Sequence, residues 1–476
     1  MSQYKTAAKD KVPLMQKIAF GSGHLVNNLL PGALGIFMFF LLTAFGMDPF
    51  LAGLLGGLPR LFDAITDPIM GYISDNTNSR WGRRRPYIFV GAIAAGLLFI
   101  LLWQMDETNS PNYNFWYFLV ISLFYIAANT IFSTPLIGLG YEMTSDYNER
   151  TRLMSMANIV GQIAWMIVPW FWVLIADKDL FENQAIGVRN LSIVIGAITM
   201  IFGILPAIFC RGIDSSKIAN RKELSIKNLW GALKDLFKGI LEVFKNKPFL
   251  KLCGATFLVF NGFQIVASFS FFIILFYMFN GNYEAAGNWP AWFSTVIAFA
   301  TAFVVIPIVA WMANKWGKRN AFIISTALSM VGYILKWWGF NPENPWMLFM
   351  PIPLMAFGLG GLFTLMMSMT ADVCDLDELE NGMPRKEGTF GAIYWWMVKI
   401  GQSLALVLGG FVLKIVGFDQ NAATQTAETI HQLRIADIVI PALTAALAIW
   451  VMWGYDLNED KARKIKDELV ERRGEL

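Results

Sequence analysis

Apolar runs long enough to cross a lipid bilayer follow one another along almost the whole chain. They cover approximately residues 17–46, 50–75, 86–105, 114–143, 151–176 and 189–210, then 249–279, 288–313, 320–339, 344–375, 388–416 and 433–455. A hydrocarbon core of about 30 Å takes roughly 20 apolar residues as a helix, and longer runs can tilt. Backbone inside that core must satisfy its own N–H and C=O groups, so such runs fold as helices. The pattern predicts an all-α membrane protein of twelve transmembrane helices. One anchor does not account for a chain that is 56% hydrophobic and 15% charged, when soluble domains are about 45–50% apolar and about 25% charged. A soluble enzyme is excluded.

Other classes fall away on charge and residue type. Basic and acidic side chains number 38 and 35, for a formal charge of +3, and no basic tract with interleaved aromatics offers a nucleic-acid footprint. Three scattered cysteines (Cys210, Cys253, Cys374) form no CxxC pair and no disulfide framework. Two histidines (His24, His431) leave nothing for a His-rich metal site. No HExxH or GxSxG string suggests an intramembrane enzyme, and no cofactor is expected. The opening residues Met1 to Pro13 are polar and mixed in charge, which predicts no cleaved leader.

Lysine and arginine set the orientation. The N-terminal tail, the loops after even-numbered helices, the central stretch Arg211 to Lys247 and the C-terminal tail together hold 30 of the 38 basic residues. The opposite side holds only Lys178, Arg189, Lys414 and Arg434. Both termini are therefore expected in the cytoplasm. The organisation predicted is a six-helix bundle over residues 1–210, a cytoplasmic connector at 211–247, a second bundle over 248–455 and a cytoplasmic tail at 456–476. Within the connector, Ile226 to Phe244 has helical apolar spacing suited to an interfacial helix. The halves echo each other: Trp81-Gly82-Arg83-Arg84 follows the second helix of one, and Trp316-Gly317-Lys318-Arg319 the second helix of the other. A weaker echo pairs Thr144-Ser145-Asp146 with the acidic run Asp372 to Glu380. The pattern reads as a parallel six-plus-six repeat, with a substrate site at the repeat interface near the midplane.

The second run carries charges where charges are expensive. Arg60, Asp63 and Asp67 share one helical face, and each ionised group at membrane depth costs roughly 2.5–3.5 kcal/mol. Two carboxylates one turn apart cluster oxygens for a hard cation such as Na⁺, and Thr66 can add another. Two other readings remain. In one, Arg60 neutralises Asp63 in a structural ion network; in the other, repulsion between the carboxylates raises one pKa and makes a proton site.

In the eleventh run, Lys399 interrupts an apolar stretch, with Trp395 four residues before it and Gln402 three after. An amine, an aromatic face and an amide on one face are the groups that bind sugars, and Asp63 or Asp67 of the second run is the natural counter-charge for the lysine. The plainer alternative is a snorkelling lysine beside lipid-facing tryptophans. His24 and Asn28 in the first run, Ser133 in the fourth, and Asn158 and Gln162 in the fifth are further polar groups within spans. Each either binds substrate or hydrogen-bonds a neighbouring helix.

Several strings resemble the glycoside–pentoside–hexuronide:cation symporter family of the major facilitator superfamily. They are Phe62-Asp63-Ala64-Ile65-Thr66-Asp67-Pro68, Ser79-Arg80-Trp81-Gly82-Arg83-Arg84-Arg85-Pro86, the stretch Glu142 to Arg152, Ala371-Asp372-Val373-Cys374-Asp375, and Arg385-Lys386-Glu387-Gly388. The resemblance implies that Asp63 and Asp67 bind the coupling cation with help from Thr130. It implies that Lys399 links the cation and sugar regions, and that Arg60 matches the family's helix-2 arginine. Asp75, Arg80, Arg83, Arg84, Glu142, Arg150, Asp372, Asp375 and Arg385 would form the cytoplasmic gate of salt bridges between the halves. Galactoside-transporting members place acidic residues where this chain has His24 and Ser133, and an arginine where it has Asn158. A different glycoside is therefore expected.

The function expected is secondary transport: uptake of a sugar or glycoside coupled to Na⁺, with H⁺ or Li⁺ as other candidate ions. The transporter would work as a monomer among membrane lipids, in a bacterial-type cytoplasmic membrane. Lysolipid symporters also resemble this family, so an amphipathic substrate is the alternative.

Overall fold

A computed structural model describes residues 11–144, 147–211, 231, 234, 244–381, 387–419 and 422–473. The sequence expectation for an interfacial helix within the connector, and that for Arg385, lie outside the described residues. Among the described residues the regular structure is helical throughout. The chain divides into two compact units, Met1–Leu233 and Lys234–Leu476.

The first unit holds α1 (Leu14–Thr43), α2 (Pro49–Asn76), α3 (Arg85–Leu102), α4 (Pro111–Glu142), α5 (Tyr147–Ile167) and α6 (Gln184–Gly203). The second holds α7 (Lys247–Phe272), α8 (Tyr283–Trp316), α9 (Lys318–Gly339), α10 (Ile352–Asn381), α11 (Glu387–Ile415), α12 (Ala427–Trp453) and α13 (Glu459–Arg473). Among the described residues, 11 helices are long and apolar enough to cross a membrane. The 28-residue α2, which carries Arg60, Asp63, Asp67 and Asp75, is not among them.

Local chemistry sets the boundaries. α2, α4 and α7 each begin with a capping side chain followed at once or one residue later by proline. Asp48 accepts from the Phe50 N–H at 2.9 Å, Ser110 from Tyr113 at 3.3 Å and Asn246 from Phe249 at 3.0 Å. The cap satisfies donors the helix leaves open, and the proline ring presets the first turn. Three boundaries differ from the apolar runs. α5 breaks before Pro169 and resumes as Trp170–Ala176, because proline has no N–H for the ladder. α10 starts at Ile352 after a 3₁₀ turn at Pro345–Phe349. α6 starts at Gln184, where Asn183 caps the Ile186 N–H.

The two units repeat one packing scheme. In the first, α1 packs on α5 and α6, α3 on α4 and α6, and α2 on α4; in the second, α7 packs on α11 and α12, α9 on α10 and α12, and α8 on α10. The matching Trp-Gly turns share a backbone conformation, with φ of +96° at Gly82 and +80° at Gly317. Glycine reaches that region without steric cost. Close helix approach also repeats. A Cβ at Gly91 of α3 would lie 2.5 Å from the Phe132 amide nitrogen of α4, and one at Gly332 of α9 would lie 2.6 Å from the Met355 amide nitrogen of α10. Small residues at such crossings let backbones meet, which is what packs helices where lipid removes the hydrophobic drive.

Candidate functional site

In the first unit α2 lies along α4, and the polar side chains of both helices meet. Asp63 is buried, and its Oδ1 accepts from the Thr130 hydroxyl at 2.6 Å. Half-buried Asp67 accepts from the Thr134 hydroxyl at 3.1 Å. Thr66 hydrogen-bonds Thr130 at 3.2 Å and also donates to the Asp63 carbonyl. The guanidinium of Arg60 lies within Coulombic reach of Asp63 and of Tyr125. Its Nε is buried without a hydrogen-bond partner among the described residues.

This is an oxygen-rich helix contact with two carboxylates and three hydroxyls, built from two helix faces at four-residue spacing. It suits a hard monovalent cation, whose ligands are carboxylate, hydroxyl and carbonyl oxygens. Among the described residues there is no cluster of three or more His, Cys, Asp or Glu that could hold a metal ion. With the Arg60 guanidinium beside Asp63, two ionised acids leave one negative charge, which a singly charged ion can balance.

Of the expected substrate residues, His24 and Asn28 on α1 come together with the Gly161-Gln162 segment of α5. A Cβ at Gly161 would lie 2.7 Å from Asn28 Nδ2 and 3.6 Å from His24 Cβ. His24 Nε2 is buried without a partner among the described residues, and its ring meets Phe20 edge-on at 4.7 Å. Gln162 and Ser133 are half-buried, and Asn158 is exposed.

In the second unit, Trp395 of α11 is 43% exposed and stacks on Phe363 of α10, with ring centroids 6.1 Å apart and planes 20° apart. That pair is a flat aromatic platform, and half-buried Lys399 and Gln402 follow it on the same helix. The amide contact of the first unit has a counterpart here. Gly401 packs against Asn261 of α7, whose Nδ2 would lie 3.1 Å from an added Cβ. Leu25-Val26-Asn27-Asn28 thus matches Leu258-Val259-Phe260-Asn261, and Gly161-Gln162 matches Gly401-Gln402.

At the loop ends, Arg83 and Arg84 both bind Glu142 Oε1, with Nε–O distances of 2.5 and 2.7 Å. Lys318 binds Asp372 at 2.6 Å. Each pair joins the Trp-Gly turn to the end of its own unit's fourth helix. Arg80 is exposed and Asp375 half-buried; the side chains of Asp75 and Arg150 lie outside the description.

Sequence reasoning missed two features. One is Thr134, signalled only by a threonine four residues after Thr130. The other is a buried ion pair between Lys336 of α9 and Asp437 of α12, with 0% and 1% side-chain exposure. Lys336 also donates to Ser270 of α7 at 2.9 Å.

Comparison with known proteins agrees with this architecture. The glucuronide carrier protein homolog of Escherichia coli is 24% identical over 96% of this chain and 95% of its own. The sodium-dependent lysophosphatidylcholine symporter 1 of Xenopus tropicalis is 22% identical over 97% of this chain and 91% of its own. The crystal structure of nucleoside transporter NupG superposes with a TM-score of 0.62 at 15% identity, covering 93% of this chain and all of that one, which shows the fold. Residues 19–459 match a family described as MFS/sugar transport protein. These relatives are symporters and carriers rather than enzymes, and bacterial members fit a bacterial-type inner membrane. With a match across most of its length, this multi-pass membrane chain belongs to the MFS/sugar transport protein family.

Proposed function

We propose that this protein is a twelve-span secondary transporter that couples inward flow of Na⁺ to uptake of a sugar or glycoside by alternating access. α2 is the twelfth span, both termini and the 211–247 connector are cytoplasmic, and residues 1–210 and 248–455 are the two bundles. The observation that carries the reading is the facing of Asp63 and Asp67 by threonine hydroxyls on α4. Na⁺ and the Arg60 guanidinium together balance two carboxylates that are costly to hold ionised at that depth. Binding of the ion and of the substrate then favour each other by one reciprocal coupling free energy. Lys399 and Arg60 are the coupling charges. His24, Asn28, Ser133, Asn158, Gln162, Trp395 and Gln402 are the groups that meet the substrate, through hydrogen bonds to its hydroxyls and an aromatic face under a sugar ring.

A lysolipid-like substrate is the second reading, favoured by the likeness to the amphibian lysophosphatidylcholine symporter. Thermal stabilisation of the purified protein by mono- and oligosaccharides, uronides and lysolipids, each with Na⁺, Li⁺ or neither, tests both. The expected result is a shift with a sugar or uronide that requires Na⁺. A shift confined to lysolipids selects the second reading. Sugar binding that ignores alkali ions but strengthens as the pH is lowered defeats the Na⁺ assignment.

A further inference from the structure

We propose that Thr134 is itself a ligand of the coupling cation and sets which alkali ion is accepted. The proposal rests on the reading of Asp63 and Asp67 as the cation site.

The facing helices carry one spacing. α2 reads Asp63, then Asp67 followed by Pro68; α4 reads Thr130, then Thr134 followed by Pro135. Residues four apart lie above one another on a helix face. The contact is therefore a ladder of two rungs, Asp63 with Thr130 at 2.6 Å and Asp67 with Thr134 at 3.1 Å. Each proline follows the second rung of its helix and lacks the N–H that would return to the carbonyl of Ala64 or Ile131. The backbone ladders of both helices are thus broken at the same rung.

The direction of the hydroxyls is the second observation. Serine and threonine within a helix usually return their hydroxyl to a carbonyl three or four residues back. Several others in this chain do so. Thr370 donates to Met366, Ser22 to Ala19, Ser329 to Thr326 and Thr444 to Pro441. Thr130 and Thr134 instead reach across to carboxylates on another helix. Packing does not require this, since a valine fills the same volume. A hydroxyl that donates to a carboxylate when no ion is bound can turn its lone pairs to a cation placed between them. Thr134 thereby supplies Asp67 with the neutral oxygen that Thr130 supplies to Asp63. A hydroxyl ligand serves a metal ion through its lone pair, and the fit of the ring to ionic radius decides between Na⁺ and Li⁺.

The test titrates the purified full-length chain with NaCl or LiCl alone and reads its melting temperature. Thr134→Val keeps shape and removes the oxygen; Thr134→Ser keeps the oxygen. The half-saturating Na⁺ concentration should rise about tenfold or more in Thr134→Val, the effect of losing one good oxygen contact. Thr134→Ser should stay within about threefold of the parent, and the Na⁺-to-Li⁺ preference should shift in Thr134→Val alone. Thr134→Ala takes the place of Thr134→Val should the latter melt abnormally in ion-free buffer. If Thr134→Val titrates like the parent while Asp67→Asn no longer responds, Thr134 is a packing partner and the proposal is overturned with the cation site intact. If Asp63→Asn and Asp67→Asn also titrate like the parent, or the parent responds to no alkali ion, the cation reading fails and takes this proposal with it.

Discussion

Arg84 shows how one glycine decides where a charge can go. Its guanidinium lies over Gly138 of α4, where an added Cβ would stand 1.7 Å from Nη1, and from there it reaches Glu142 one turn on. Gly138→Ala should push Arg84 off Glu142 while Arg83 keeps its own bond. Glu142→Gln weakens both. A hydrogen bond to a charged group contributes about 1.5–3 kcal/mol. Stability by thermal or denaturant unfolding should therefore fall about twice as far in Glu142→Gln as in Gly138→Ala. Equal losses would mean that Arg83 contributes nothing through Glu142, and no loss in Gly138→Ala would mean the same of Arg84. At this scale the sequence was partly transparent. Arg60, Asp63 and Asp67 announce themselves because charge in an apolar run is costly. Thr134 does not, because a threonine hydroxyl costs little in a helix and its target lies on another element.

Helix pairs carry the second level of the account, and the two units make the comparison internal. Where α3 and α6 meet, Arg189 donates to the Met105 carbonyl at 2.8 Å, and Gln104 contacts Ser192 at 3.4 Å. Where α9 and α12 meet, Arg434 donates to the Trp337 carbonyl at 2.6 Å, and Lys336 pairs with Asp437. Each junction has its arginine on a carbonyl, and the second contact is made once with the neutral Gln104 and Ser192 and once with the charged Lys336 and Asp437. The fold does not need the charges, but once present they need each other. Removing one partner of such a pair costs about 3–5 kcal/mol, whereas replacing both by apolar residues is often neutral. Lys336→Ala or Asp437→Ala should strongly lower folded yield, and Lys336→Met with Asp437→Leu should restore it. A double variant as poor as either single one would contradict this. The pairing was hidden from the sequence, because periodicity places each residue on a face without saying which faces meet. The turns were more legible. Trp81-Gly82 and Trp316-Gly317 look alike in sequence and share positive φ at the glycine. The break before Pro169 and the late start of α10 were not, since an apolar run shows no edge where proline ends the hydrogen-bond ladder.

For the whole molecule, apolar runs and basic loops together predict the path of the chain through the bilayer. The described helices fall where the runs lie because in hydrocarbon each segment has to close its own hydrogen bonds. The lopsided count of Lys and Arg argues that both ends face the cytoplasm. Single cysteines introduced at Ser79 and at Asn314 should be labelled by an impermeant thiol reagent only from the cytoplasmic side, and one at Asn109 only from outside. Labelling of Asn314→Cys from outside would break the predicted twelve-span topology. The account depends most on the claim that the α2 acids are balanced by an alkali ion. The most direct measurement is Na⁺ titration of the purified protein by thermal shift, for the parent, Asp63→Asn and Asp67→Asn. The account predicts a saturable stabilisation in the parent that disappears in both variants while each remains folded. The same Na⁺ response in all three would contradict it.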